Sequence, residues 1–83
     1  MTTGIVEIDV HGMNTEEAVK AVSAAVLAAG KSVYRVRVIH GYHGGTRIRS
    51  GIREAFSYGR DAKVKRIEMG NNQGITELIL REY

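Results

Sequence analysis

Ile5-Val6-Glu7-Ile8-Asp9-Val10-His11-Gly12 alternates apolar and acidic side chains and then breaks on a glycine. Val6, Ile8 and Val10 fall on one side of an extended chain, and Glu7 and Asp9 on the other. This is the period-two pattern of a half-buried strand over Ile5–Val10. Asn14-Thr15-Glu16-Glu17 follows, with Asn14 placed as N-cap and Glu17 at the reciprocal capping-box position. Val19, Val22, Val26 and Ala29 then recur at helical spacing beside Ala18 and Ala25, and Gly30 is placed to end the helix. Val33–Ile39 reads as a second strand, with Val36 and Val38 toward the helices and Arg35 and Arg37 away from them.

A glycine-rich turn, His40-Gly41-Tyr42-His43-Gly44-Gly45, leads to Thr46 as cap of a second helix. Its buried stripe is Ile48, Ile52, Ala55 and Phe56, with Arg49, Arg53 and Arg60 on the opposite row. Val64–Met69 is a third strand, Gly70-Asn71-Asn72-Gln73-Gly74 is turn chemistry, and Ile75–Tyr83 is the last strand. Right-handed crossovers make the first three strands parallel and place both helices on one face. The short turn after Gly70 makes the fourth strand antiparallel to the third. The expected fold is an α/β two-layer sandwich of order β-α-β-α-β-β with a mixed four-stranded sheet.

At 83 residues the chain is expected to be one domain, residues 1–83, burying roughly 60–70% of the surface its unfolded form would expose. It contains no cysteine, which removes disulfides, thiolate catalysis and cysteine-based metal centres. The longest uncharged apolar run, Ala21–Gly30, is short of the ~20 residues of a membrane span. The first residues show no signal-peptide pattern. With 43% hydrophobic residues, disorder is not expected. These features point to a soluble, cytoplasmic domain with no membrane partner.

The formal net charge of +3 hides a segmented distribution. Residues 1–30 carry one basic and four acidic side chains, residues 31–66 ten basic and two acidic, and the remainder one basic and three acidic. Arginine, suited to bidentate phosphate contacts, dominates the basic middle. A phosphate-bearing partner is expected if those charges converge on one surface; otherwise they are a solvated face.

Val10-His11-Gly12 and Ile39-His40-Gly41 both place His-Gly at the carboxyl end of a strand, 29 residues apart. Ligands of open parallel sheets collect at that edge, so neighbouring strands would merge the two turns into one site. Asp9 and His11 leave the strand on the same face, where a carboxylate can fix an imidazole tautomer or share a divalent ion with it. The alternative is that Asp9 pairs with Arg35 or Arg37 and His11 only caps the turn. His40 has the parity of Val38, which turns it toward the helix layer unless the glycines redirect it. Gly41, Gly44 and Gly45 allow close backbone approach to a ligand, and the N-terminus of the helix at Thr46 adds free N–H groups. With Arg47 and Arg49 this is an anion cradle. Tyr42 either stacks on a base or packs back on its own helix, and His43 lies within the loop. No nucleophile elbow, zinc-protease helix, EF-hand or ribonucleoprotein aromatic pattern occurs.

Ile8-Asp9-Val10-His11-Gly12 resembles the L-D-L-H-G signature that opens the small MutS-related (Smr) domain. His40-Gly41-Tyr42-His43-Gly44 resembles its second signature, H-G-x-G, and Gly74-Ile75-Thr76-Glu77-Leu78-Ile79-Leu80 resembles the G-V-T-x-x-x-L strand near its end. The resemblance covers essentially the entire chain. One extra residue follows His40-Gly41, as in the variant that resembles stand-alone bacterial members, which leaves open whether Gly44 or Gly45 takes the loop role. The resemblance implies a fold similar to the C-terminal domain of translation initiation factor three, nucleic-acid binding, and in some relatives endonuclease activity on DNA or RNA. It nominates Asp9 and His11 from the first signature, and His40, Gly41 and Gly44 from the second.

Three functions are therefore expected to compete. A weak, non-specific endonuclease would use His11, oriented by Asp9, as base and His40 as acid or phosphate ligand. Gly12, the Gly41–Gly45 backbone, Arg47 and Arg49 would hold the phosphate, and magnesium or manganese on Asp9 is a second route. A non-catalytic module would read DNA or RNA backbone with Arg35, Arg37, Arg49, Arg53 and Lys65. A docking domain would bind a repair or ribosomal protein.

Overall fold

The computed structural model describes residues 4–41, 47–56, 63–70 and 74–81. Its elements run β1 (Ile5–Asp9), α1 (Thr15–Ala28), β2 (Arg35–Ile39), α2 (Arg47–Phe56), β3 (Arg66–Met69) and β4 (Ile75–Ile79). The order is the expected β-α-β-α-β-β. Of the candidate residues, Tyr42, His43, Gly44, Gly45 and Thr46 lie outside the described residues, as does Arg60.

The sheet order is β1-β2-β4-β3. β1 and β2 are parallel, and β4 runs antiparallel to both of its neighbours. β3 thus keeps the direction of β1 and β2, but β4 is inserted between it and β2. Sequence order alone did not place β4 there, and the insertion shapes the site, because β4 lies directly beside the end of β2 that carries His40.

The elements are shorter than the alternation suggested, for reasons of pairing. β2 begins at Arg35, opposite Ile5. Before it, the Val33 N–H donates to the Gly30 carbonyl in a turn. β4 ends at Ile79, opposite Arg35, and the N–H groups of Leu80 and Arg81 both reach the Tyr34 carbonyl. The capping box of α1 forms as read: the Glu17 N–H donates to Asn14 Oδ1 at 2.8 Å, and the Asn14 N–H to Glu17 Oε1 at 3.3 Å. At its other end α1 stops on Ala29, which is extended, not on a left-handed glycine. Lys63 takes over there, its ammonium donating to the carbonyls of Val26, Leu27 and Ala29 at 3.1–3.3 Å. A cation on the negative end of a helix is favourable.

Val36, Val38 and Leu78 on the sheet share one core with Ala18, Val22 and Val26 of α1 and Ile52 and Phe56 of α2. Both helices therefore cover the same sheet face. They also pack closely on each other. A Cβ on Gly51 of α2 would come within 2.4 Å of Thr15 Cγ2, so the crossing depends on the missing side chain. The opposite sheet face carries the charged rows.

Candidate nucleic-acid interface

The parallel register pairs Asp9 with Ile39, and the Val10 N–H continues the ladder to the Ile39 carbonyl at 2.9 Å. Both His-Gly turns therefore leave the sheet at the same edge. Gly12 (φ 82°) and Gly41 (φ 71°) adopt left-handed backbone, which glycine reaches without a Cβ penalty. A Cβ on Gly41 would lie 3.7 Å from the His11 Cβ, so the two turns meet. The expectation that the two His-Gly pairs share one edge is what the geometry shows.

At this edge Asp9 turns to His11, not to the arginines. His11 Nδ1–H donates to Asp9 Oδ1 at 2.5 Å, and the His11 backbone N–H donates to the same oxygen at 3.1 Å. The His11 ring bond, with the backbone N–H second, holds the Asp9 carboxyl below its ordinary value of 3.8. The ring tautomer is thereby set, leaving Nε2 with no partner among the described residues on a side chain that is 70% exposed. An oriented imidazole with one open nitrogen can accept or return a proton.

His40 is differently placed. It is 5% exposed and lies on the helix side of the sheet, as its parity with Val38 predicts. Its Nδ1–H donates to the Gly41 carbonyl at 2.7 Å. Nε2 is then an acceptor, and the buried Thr76 hydroxyl donates to it at 2.8 Å. Both ring nitrogens are committed, so the expected role of His40 as acid or phosphate ligand has no open nitrogen behind it. What His40 does is hold Gly41. The Gly74 carbonyl helps, accepting from the N–H groups of His40 and Gly41 at 2.9 and 3.0 Å. Thr76 and Gly74 were not among the residues expected to shape the site; their Gly-Ile-Thr sequence was the available signal. Thr76→Val keeps shape but removes the donor to a buried acceptor. It is expected to cost about 1–2 kcal/mol of stability, read as a lower denaturation midpoint, while Thr76→Ser retains most of it. A Val variant as stable as the parent would dismiss the Thr76–His40 bond as a support.

The arginines divide sharply. Arg35 Nη1 donates to Glu77 Oε1 at 2.6 Å and Arg37 Nη1 to Glu7 Oε2 at 3.2 Å. Arg37 Nε also lies 3.6 Å from Glu77 Oε2. The Glu77 hydrogen bond, more than the charges around it, raises the Arg35 pKa above its ordinary value. These two expected backbone readers are thus neutralised on the charged sheet face, where Arg66 also pairs with Glu68 at 2.6 Å. Arg47, Arg49 and Arg53 on α2 have no acidic partner among the described residues, and Arg47 and Arg53 are exposed. Among the described residues, α2 therefore carries basic side chains with no acidic partner.

For a divalent ion the described residues supply too little. They contain no group of three or more His, Cys, Asp or Glu side chains that could hold a metal. Asp9 Oδ1 already accepts two hydrogen bonds from His11. A magnesium ion there would rest on one carboxylate and compete with the ring that the carboxylate orients.

These features define a two-layer α/β domain with a polar site at the carboxyl edge of a parallel strand pair. The Smr domain family model matches residues 8–76, and the chain belongs to that family. Among solved structures it is similar to the crystal structure of the Smr domain of Thermus thermophilus MutS2. The TM-score is 0.79 and the identity 29%, over 93% of this chain and 99% of that one. No curated protein matches the sequence. Smr domains are in general nucleic-acid-binding. No helix among the described residues is long and apolar enough to cross a membrane.

Proposed function

We propose that this domain binds the backbone of a nucleic acid at the edge formed by His11, Gly12 and Gly41, and nicks it slowly without reading sequence. The observation that carries this reading is the Asp9–His11 pair, whose exposed ring keeps Nε2 open beside a left-handed glycine turn. His11 Nε2 takes the proton of the attacking hydroxyl as the new P–O bond forms. The bond from phosphorus to the leaving 5′-oxygen breaks, and water protonates that oxygen. RNA suits a site with one open histidine among the described residues, because its 2′-hydroxyl supplies the attacking group in place. Arg47, Arg49 and Arg53 offset the phosphate charge.

The burial of His40 favours a second reading, a module that binds without cutting, since it takes one of the two histidines out of the chemistry. Supercoiled plasmid and a structured RNA, each with magnesium, manganese or chelator, separate the two. Cutting that persists in chelator and is absent from the His11→Ala protein supports the first reading. Salt-sensitive binding with no cutting in any tube supports the second. Failure to bind either nucleic acid at low salt rejects both, and points to the protein-docking role.

A further inference from the structure

Pairing of charges on the sheet face accounts for Arg35, Arg37 and Arg66, and the capping of α1 for Lys63, but neither accounts for three cations at the sheet end opposite the histidines. Lys31, in the turn after α1, Lys65, leading into β3, and Arg81, beyond β4, line one depression with Lys63. Its volume is about 360 Å³, Ala29, Val33 and Leu80 supply apolar lining, and no acidic side chain among the described residues lines it. The inserted strand makes this convergence. β4 stands between β2 and β3, the Lys65 N–H donates to the Ile79 carbonyl at 2.7 Å, and the Leu80 N–H to the Tyr34 carbonyl at 2.8 Å. Lys31, Lys65 and Arg81 have no acidic partner among the described residues. Bringing like charges together is unfavourable unless an anion offsets them.

We propose that this depression is a second phosphate foothold for the nucleic acid held at the histidine edge. The inference rests on the reading of the histidine edge as a nucleic-acid site. From Val33 to His40 the chain of β2 spans roughly 23 Å at ~3.3 Å per residue. That corresponds to about seven base pairs of B-form DNA at 3.4 Å each. One backbone can thus reach both ends of the sheet, and lysines serve as point charges for phosphate oxygens. The foothold adds affinity and orientation but takes no part in bond cleavage.

The test is a salt titration of binding to a labelled RNA hairpin whose stem is longer than that span, using Lys31→Ala/Lys65→Ala. Lys63 is left intact because it caps α1. The double variant is expected to bind more weakly, with the slope of log K against log salt reduced by about 1.5–2. Its melting temperature should match the parent, since both side chains are exposed. An unchanged slope in the variant, with the parent binding in a salt-sensitive way, overturns the foothold and leaves the reading of the histidine edge standing. No salt-sensitive binding by the parent overturns that reading, and this one with it. Displacement of the RNA by polyglutamate as readily as by inorganic polyphosphate would assign the depression to an acidic polypeptide instead.

Discussion

His11→Ala is expected to lower the rate of strand cleavage about 10²–10⁴-fold, the usual contribution of a positioned general base. Affinity for the same nucleic acid should fall far less than the rate, since Gly12, Gly41 and the arginines of α2 remain to hold the backbone. Folding should be untouched, because the side chain is 70% exposed and among the described residues its ring bonds only to Asp9. Loss of binding together with cutting would sink the catalytic assignment. Asp9→Asn keeps an acceptor for Nδ1–H but removes the charge that fixes it, so a smaller loss of rate is expected there. The pH dependence has a definite sign. Because the Asp9 pKa is lowered, its carboxylate stays charged as pH falls through 3.8 and loses its hold on His11 only below that value. A fall in cutting rate between neutral pH and about pH 4 therefore does not come from Asp9. In His11→Ala the ring bond is gone while the backbone N–H remains. The Asp9 carboxyl carbon, followed by NMR, should then titrate at a higher pH than in the parent.

Much of this was legible because local chemistry spoke for itself. The alternation of Ile5–Val10, the Asn14/Glu17 capping box and the helical spacing of Val22 and Val26 each depend on residues within one turn or a few positions, and each forms as read. The parity of Val36, Val38 and His40 also predicted the burial of His40. Pairings set by sheet order were not legible. Arg35 and Arg37 lie on the face where the alternation placed them, but their partner, Glu77, comes from a strand about forty residues on. Only the insertion of β4 brings it there. The same insertion carries Thr76 to His40, whose ring also bonds the Gly41 carbonyl of the glycine turn. Asp9 was open between His11 and the arginines, and the parallel register decided it. That register sets Arg37 beside Glu7 and Asp9 beside Ile39, leaving Asp9 to its neighbour two residues away. Net charge misled for a related reason: a count does not distinguish a cation facing a carboxylate from one facing a phosphate.

Glu77→Ala is expected to be the most destabilising single change on the charged sheet face, by about 2–3 kcal/mol. Glu77 is 4% exposed on the central strand β4, although nothing among the described residues is layered over that face. Two guanidiniums bury it, Arg35 at Oε1 and Arg37 at Oε2. In return its carboxylate offsets two cations whose Nε atoms are themselves buried and make no hydrogen bond among the described residues. Removing it leaves Arg35 with Glu68 at 3.8 Å and Arg37 with Glu7 at 3.2 Å. Neither replaces a 2.6 Å bond in a shielded position. Breaking a buried pair typically costs about 3–5 kcal/mol, and the partial exposure of the two arginines puts this case at or below the lower end. For a domain of this size that corresponds to a melting temperature lower by roughly 10–20 °C. Glu7→Ala is the control. It removes an exposed partner of the same Arg37 and should cost under about 1 kcal/mol, falling further with added salt. Equal losses in the two variants would show that the network works as a solvated surface, with no special role for its buried carboxylate. Replacing Arg35, Arg37 and Glu77 together by apolar residues could restore stability. It would also join Ile5, Ile39, Ile75 and Ile79 into an exposed apolar sheet face prone to association. The network thus keeps this face of a two-layer domain charged and self-neutralised, while the cations without an acidic partner among the described residues include those at the ends of the sheet and on α2.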